Sequence, residues 1–216
     1  MDEFIAIIHA NCENHSSNSH KNILSVIYTM RALLLYCLLN MLTALNNPTT
    51  CVCTTEPCPV VGENTLHMGD GTAVVTYDYV RHGDFIVVVS ATGEITPADL
   101  DHGTETTSCT QKYSRMLDDD NVKDCDAGHI LANRLGGYGN EPINIFPQAP
   151  SINRGAYAQF ENNIYQCVKG GAKSADLHWK FTYGNETQTK PISIEYSASF
   201  VGGNCAKLSS TFTNIG

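Results

Sequence analysis

The chain has 216 residues, of which 42% are hydrophobic and 16% charged, with a net charge of -9 at pH 7. This length and composition suit one globular domain with an N-terminal leader. A chain this acidic is not a general electrostatic binder of nucleic acid, because it repels phosphates at long range. An anionic substrate would have to be bound locally, by a metal ion or by a few well-placed cations.

The first element is an apolar segment preceded by a single basic residue. Met30 and Arg31 are followed by 14 uncharged residues, 32–45, a run that is typical of a signal peptide and short for a membrane-spanning helix. We interpret residues 1–45 as an N-terminal extension and a signal peptide that begins at Met30. This predicts a secreted protein with no stable membrane association after cleavage. The alternative is an uncleaved signal anchor.

The cysteines after the leader favour the same compartment. Scattered cysteines at this density are typical of disulfide-bonded proteins in an oxidising environment, and there are seven: Cys51, Cys53, Cys58, Cys109, Cys125, Cys167 and Cys205. The alternative is a metal site at Cys51-x-Cys53-x4-Cys58, but no partner pair completes it. Because seven is odd, one thiol is free or pairs between chains. Residues 46–66, rich in Cys, Pro and Thr, are predicted to form an irregular arm.

Two β-rich runs open the predicted domain, which spans residues 67–216. Residues 73–79 (AVVTYDY) and 85–90 (FIVVVS) are separated by a short polar turn, which predicts a hairpin. Residues 91–124 are mostly polar and are predicted to be a solvated loop. Their acidic cluster, 118–120, has no ordered pattern of calcium or magnesium ligands.

A short strand, a helix and further strands follow in that order. Residues 125–132 predict a strand that leads into a glycine-rich loop. Residues 151–167 predict a helix capped by Ser151, with a buried stripe at Ile152, Ala156, Phe160, Ile164 and Cys167. Residues 177–183, 191–200 and 207–212 predict three more strands. Strands, then a helix, then strands indicate an α+β domain.

Polar residues suited to chemistry concentrate in one window of the chain. They form three groups: Asp126-x-Gly128-His129, then Asn144-x-x-x-Gln148, then Asn153-Arg154 with Glu161. Asn153 and Glu161 are eight residues apart on the predicted helix, so they lie within a quarter turn of one face. Histidine can deprotonate water near neutral pH. A hard divalent cation bound by one or two oxygens can neutralise phosphate charge. The set therefore indicates phosphodiester hydrolysis.

The segments DAGHILANRLGG and NIFPQAPSINRGAYAQFE resemble the DNA/RNA non-specific endonucleases of the ββα-metal (His-Me finger) type. The likeness is to the branch whose motif begins Asp-Ala/Gly-Gly-His. It implies an α+β fold with a ββα-metal core, a central antiparallel sheet and a catalytic helix. It also implies DNA and RNA as substrates, with cleavage that leaves 5′-phosphate ends.

The resemblance also implies a role for each motif residue. His129 corresponds to the general base and Asn153 to the metal ligand. Asn144 corresponds to the asparagine that helps to arrange the catalytic site, and Glu161 to the glutamate of the catalytic helix, which we expect to hold metal-bound water. The implied cofactor is Mg²⁺, with Mn²⁺ or Ca²⁺ as alternatives. Asp126 and Gly128 are expected to support the site structurally.

The sequence leaves several candidates for the residue whose positive charge neutralises the phosphate. Ala127 stands where many family members have an arginine, so a positive charge is missing there. The family also places an arginine upstream of the motif, and Arg115 and Lys112 are the candidates; Arg115 is favoured because its planar fork matches phosphate oxygens. Arg154 is expected either to bind substrate or to pair with Glu161.

Two alternatives to a secreted endonuclease are retained. One is a non-catalytic secreted binding or effector protein on the same scaffold, which the acidic charge would suit. The other is a nuclease toxin delivered into a target cell, which differs in its partner rather than in its chemistry.

Overall fold

The computed structural model describes residues 64–118 and 125–215. The strands are β1 (Thr65–Met68), β2 (Ala73–His82), β3 (Phe85–Ile95), β4 (Asp126–His129), β5 (Ile145–Gln148), β6 (Ser174–Thr182), β7 (Ser193–Val201) and β8 (Leu208–Thr213). The helices are α1 (Ser108–Met116), α2 (Pro150–Ile152) and α3 (Ala158–Lys169), with a π-helical turn, Asn153–Tyr157, between α2 and α3.

Six of the strands form one antiparallel sheet in the order β1-β2-β3-β6-β7-β8. β4 and β5 form a separate two-stranded antiparallel sheet, with His129 paired to Ile145. The hairpin between β2 and β3 turns at Gly83, which has a φ of 58°, a conformation that glycine adopts without steric cost. The predicted α+β class and the predicted hairpin are confirmed.

The ββα unit predicted from the resemblance is present in the described chain. β4 pairs with β5 and the helical segment follows directly from β5. α3 packs its aromatic side on the large sheet, where the Phe160 ring lies 4.8 Å from that of Tyr196, and Trp179 lies 4.8 Å from the same tyrosine ring. The sheet therefore gives α3 a rigid support beneath the predicted catalytic residues.

The predicted buried stripe of the helix is wrong at Ala156, whereas Ile152 packs against the core in part. The helical segment begins at Pro150 rather than at a Ser151 cap, and Gly155 interrupts it with φ -114° and ψ -110°. Because the π-helical turn holds one more residue than an α-helical turn, the stripe shifts by one position. Ala156 is exposed and Tyr157 is buried in its place, while Phe160 and Ile164 are buried as predicted.

The predicted solvated loop at 91–124 is also wrong in part. β3 continues to Ile95, and α1 occupies 108–116 after an N-cap at Thr107. α1 has a polar sequence with few apolar positions, so hydrophobic periodicity did not reveal it. The short strands β1 and β5 were likewise not predicted. The acidic residues 119–120 lie outside the described residues.

Of the described cysteines, Cys167 and Cys205 form a disulfide and Cys109 is also disulfide-bonded. Cys125 carries a free, buried thiol. The predicted leader and residues 46–63 of the predicted arm lie outside the described residues. The predicted boundary between arm and domain after residue 66 is wrong, because β1 spans Thr65–Met68. Within 64–118 and 125–215, no helix has the length and apolar character needed to cross a membrane.

Candidate active site

One cleft of about 330 Å³ contains three of the residues singled out by the sequence, namely His129, Asn153 and Glu161. Its other lining residues are Glu105, Ala132, Asn133, Arg134, Leu135, Ala158, Asn162 and Tyr165. The cleft lies where the end of β4, the loop that follows it and the helical segment meet. These elements position a potential base, an amide and a carboxylate around one space.

His129 ends β4, and a backbone carbonyl fixes its ring. Its Nε2 lies 3.2 Å from the Thr104 carbonyl oxygen. A carbonyl oxygen only accepts hydrogen bonds, so Nε2 is the protonated nitrogen and Nδ1 keeps its lone pair. Burial lowers the pKa of His129 below its usual value of 6.5, although the Thr104 bond and the charge of Glu105 act in the opposite direction. The imidazole is therefore a neutral base at physiological pH.

The glycine-rich loop holds Thr104 in place for this contact. Thr104 accepts a hydrogen bond from the Gly139 amide at 3.0 Å and donates one to the Gly137 carbonyl at 3.0 Å. A side chain at residue 137 would place its Cβ 1.7 Å from the Leu131 carbonyl oxygen, so only glycine allows this approach. The glycines that follow the motif thus orient the base indirectly, by packing backbone against backbone.

Asn153 is oriented by Asp126. The Asn153 amide donates from Nδ2 to Asp126 Oδ2 at 2.9 Å, so its Oδ1 remains available to the cleft. Arg154 donates to the same carboxylate from Nε at 2.8 Å and from Nη2 at 2.5 Å. Burial tends to raise the pKa of Asp126, but the hydrogen bonds from Arg154 and Asn153 hold it below its usual range. The carboxylate is therefore ionised and can keep the amide in one orientation.

Arg154 accordingly pairs with Asp126, and the predicted alternative of a pair with Glu161 is wrong. The break at Gly155 turns the first part of the helical segment toward β4, so the simple helical spacing between residues 154 and 161 does not apply. Asp126 supports the site through its hydrogen bonds, as predicted.

Glu161 lies on α3, is half-buried and lines the cleft. Its Oε1 is buried and accepts no hydrogen bond from a described residue. Burial raises the pKa of this carboxyl group to about 8. Its charge also contributes to raising the pKa of the buried Tyr157 and Tyr196 hydroxyls, after burial itself. A nearby positive charge would stabilise the ionised form of a carboxyl group in such surroundings.

Asn144 does not line the cleft. It is fully buried; its Oδ1 accepts from Tyr77 Oη at 3.0 Å and the Leu131 amide at 2.9 Å, and its Nδ2 donates to the carbonyls of Leu131 and Tyr138. Its hydrogen-bonding groups are therefore engaged within the protein. This agrees with a role in arranging the site, not with direct contact to substrate.

Gly128 supports the hairpin by its lack of a side chain. A Cβ at this position would lie 2.2 Å from Gln148 Oε1 and 2.8 Å from its Cβ. Gln148 is fully buried in β5, where its backbone pairs with Asp126, and its side chain lies against Gly128. Glycine before His129 thus allows the two strands to pack closely.

The structure places the predicted phosphate-binding cations away from the cleft. Arg115 and Lys112 lie on exposed positions of α1 and are not among its lining residues. Among the described residues that line the cleft, Arg134 is the only lysine or arginine. The sequence analysis did not single it out, although it stands five residues after His129 in the same motif. Thr104 was missed as well, and a contact made by a backbone carbonyl leaves no signal in a sequence.

The donors in the cleft suit a hard divalent cation. Asn153 Oδ1 and the Glu161 carboxylate are oxygen ligands of the kind that Mg²⁺ prefers, and Mg²⁺ keeps several waters and needs only one or two protein oxygens. No group of three or more His, Cys, Asp or Glu side chains that could hold a metal ion occurs within residues 64–118 and 125–215. The arrangement thus fits a hydrated ion better than a closed site such as that of structural zinc.

Comparisons with known proteins identify the family of the chain. A family model described as DNA/RNA non-specific endonuclease matches residues 79–199, just over half of the chain. A protein named probable deoxyribonuclease RhsA, from Dickeya dadantii (strain 3937), is 42% identical over 117 residues. That match covers 54% of this chain and 8% of the relative, so the chain spans a small part of the relative's length.

Among solved structures, NucA from Streptococcus agalactiae is similar in two crystal structures, one with magnesium and one without metal. The form with a magnesium ion bound gives a TM-score of 0.47 and 14% identity, covering 76% of this chain and 78% of that one. The form with no metal bound gives a TM-score of 0.47 and 13% identity, covering 74% and 75%.

Proposed function

The chain belongs to the DNA/RNA non-specific endonuclease family, and from that membership we propose that it is a metal-dependent endonuclease that hydrolyses phosphodiester bonds of DNA and RNA to 5′-phosphate ends. The observation that carries the proposal is the single cleft that contains His129, Asn153 and Glu161. Endonuclease activity follows from the family. The metal, the mechanism and the range of substrates are the parts proposed here.

His129 acts as the general base. Its Nδ1 lone pair accepts a proton from water while Nε2 donates to the Thr104 carbonyl. The water oxygen then bonds to phosphorus and the bond from phosphorus to the 3′ oxygen breaks. The downstream fragment keeps a 5′-phosphate, and the 3′ oxygen of the upstream fragment takes up a proton from solvent to become a hydroxyl. His129 then returns its proton to solvent. A neutral imidazole is required, and the lowered pKa of His129 provides it.

Asn153 and Glu161 are the groups that would hold the cation. Asn153 offers Oδ1 because Asp126 occupies its amide nitrogen, and Glu161 would accept hydrogen bonds from the ion's waters. When bound, a divalent cation supplies charge neutralisation at the phosphate and the departing oxygen. We favour Mg²⁺, with Mn²⁺ and Ca²⁺ as the alternatives to test.

DNA is the better supported substrate and RNA is the less supported one. The Dickeya relative is named a probable deoxyribonuclease, whereas RNA comes from the family description alone. The cleft that contains His129, Asn153 and Glu161 favours an enzyme over the non-catalytic alternative. A protein that only binds its partner does not require a neutral base beside oxygen ligands.

We also propose secretion, with a signal peptide from Met30. Its support is the uncharged apolar segment after Arg31 and the disulfide between Cys167 and Cys205. Expression of the full chain with mass determination of the mature protein tests this. An N-terminus near residue 45 supports cleavage, and retention of Met1 or Met30 in the exported protein contradicts it.

The decisive experiment measures nicking of supercoiled plasmid and cleavage of RNA by the purified protein, with Mg²⁺ and with EDTA. The parent is expected to cut DNA with Mg²⁺ and to be inactive with EDTA. His129→Ala is expected to lose activity by at least about 100-fold, the scale of a removed general base. His178→Ala removes another imidazole, from an exposed position on β6, and is the matched control.

Circular dichroism of each variant separates loss of chemistry from loss of fold. Cleavage by His129→Ala at the parent rate, with the fold intact, would falsify the assignment of the base. Cleavage that persists in EDTA would contradict the dependence on metal.

A further inference from the structure

We propose that Arg134 is the substrate-binding cation of the cleft and that it contacts the phosphate next to the one cleaved. This rests on the proposed nuclease function and names a residue that neither the motif analysis nor the comparisons assign. The chain carries a net charge of -9, and Glu105 and Glu161 both line the cleft. A phosphodiester strand that enters needs a local positive charge, and Arg134 is the only arginine or lysine among the described lining residues.

The guanidinium of Arg134 is held in a defined position. Its Cζ lies 3.9 Å from the centroid of the Tyr165 ring. One terminal nitrogen donates to Asn162 Oδ1 at 3.3 Å. Tyr165 is itself fixed, because its hydroxyl donates to Asp101 Oδ2 at 2.6 Å. Stacking on an aromatic ring leaves the edge of the guanidinium plane free to donate hydrogen bonds, which is the geometry that phosphate recognition uses.

The carboxylate of Asp101 does not engage Arg134 in a strong ion pair. Its Nε is 3.8 Å from Asp101 Oδ1, and the two side chains are 55% and 59% exposed. An exposed pair at that separation is weak and screened by salt. Arg154 differs, because two close hydrogen bonds commit its guanidinium to Asp126. Arg134 therefore has donors available for a phosphate, and Arg154 serves to fix Asp126.

The position along α3 indicates which phosphate is contacted. Tyr165, on which Arg134 stacks, follows Glu161 by four residues, which is about 6 Å along a helix. In the proposed mechanism the reacting phosphate lies among His129, Asn153 and Glu161, which line the same cleft as Arg134. Arg134 stacks on Tyr165, one helical turn beyond Glu161. It therefore contacts the adjacent phosphate of the same strand.

The test compares Arg134→Gln and Arg134→Lys with Arg115→Gln, the other candidate cation, and with Arg81→Gln, which removes the same charge from an exposed position at the end of β2. Steady-state cleavage of a defined DNA duplex gives KM and kcat separately. Binding of the same duplex to the His129→Ala protein, with and without each arginine change, gives Kd as a function of salt. Activity of the parent protein is measured first, so failure of the nuclease assignment is seen separately.

We expect Arg134→Gln to raise KM and Kd by about tenfold, the scale of one charge-assisted hydrogen bond, with kcat little changed. The slope of log Kd against log salt should fall by about 0.9, the value for one phosphate contact on duplex DNA. Arg134→Lys should recover part of the affinity, and Arg81→Gln should match the parent. Unchanged KM and salt slope in an active Arg134→Gln protein would overturn the proposal. A decrease in kcat without a change in KM for Arg134→Gln would also overturn the proposal. A tenfold increase in KM and Kd for Arg115→Gln rather than Arg134→Gln would do the same.

Discussion

The orientation of Asn153 by Asp126 yields the sharpest prediction, which is tested by Asp126→Asn. The aspartate accepts from Asn153 Nδ2 at 2.9 Å and from two nitrogens of Arg154 at 2.8 and 2.5 Å. An asparagine of the same shape has one acceptor oxygen and one donor nitrogen. It can therefore accept hydrogen bonds from Arg154 or from Asn153 through its one oxygen, but it cannot replace both acceptor oxygens of the carboxylate.

The Asn153 amide then faces another NH₂ group or rotates. Rotation replaces its Oδ1 in the cleft by a nitrogen that cannot bind a cation. Changes to groups that orient a metal ligand typically weaken metal binding by about 10- to 100-fold, which corresponds to about 1.4–2.8 kcal/mol. The lost hydrogen bond from Asn153 to the ionised Asp126 carboxylate should lower the free energy of unfolding by about 1.5–3 kcal/mol. We thus expect a protein that folds and binds metal poorly.

The assay is a titration of nicking activity with Mg²⁺, accompanied by calorimetric titration with Mn²⁺. Asp126→Asn should need about 10- to 100-fold more metal and recover activity at high metal concentration. His129→Ala should keep the parent metal affinity and stay inactive at every concentration. Asp78→Asn is the matched control, since that exposed carboxylate accepts from Ser90 on the large sheet. Parent-like metal affinity in Asp126→Asn would refute the idea that this carboxylate orients the ligand.

Two further predictions concern His129 and Asn144. Because burial lowers the pKa of His129 below 6.5 and the neutral ring is the active form, kcat/KM should fall only as the pH drops through that lowered pKa. The profile is measured at saturating Mg²⁺, whose positive charge would keep Glu161 ionised below its metal-free pKa of about 8. An acidic limb above pH 6.5 at saturating Mg²⁺ would contradict this. Asn144→Ala leaves the buried Leu131 amide and Tyr77 hydroxyl without their hydrogen-bond acceptor. The free energy of unfolding, measured by urea denaturation, should therefore fall by about 3 kcal/mol or more. Unchanged stability with a selective loss of kcat would instead indicate direct contact with substrate.

The amino-acid sequence determined much of the scaffold and the identity of the central residues. The β-rich runs that became β2, β3, β6, β7 and β8 were predicted because enrichment in β-branched and aromatic residues is a local property of the chain. His129, Asn153 and Glu161 were identified because they stand in one short window with recognisable spacing, and the fold gathers them in one cleft.

Only the tertiary structure decided which side chains are partners. Arg154 pairs with Asp126, 28 residues away in sequence, because the turn at Gly155 redirects the helical segment. Helix α1 was missed because its few apolar positions gave no clear period, and its place is fixed by packing against β4 and β5. Arg134 rather than Arg115 lines the cleft. Sequence spacing fixes neighbours along one element, whereas contacts between elements depend on how the whole chain packs, and the chemistry of this cleft is made of such contacts.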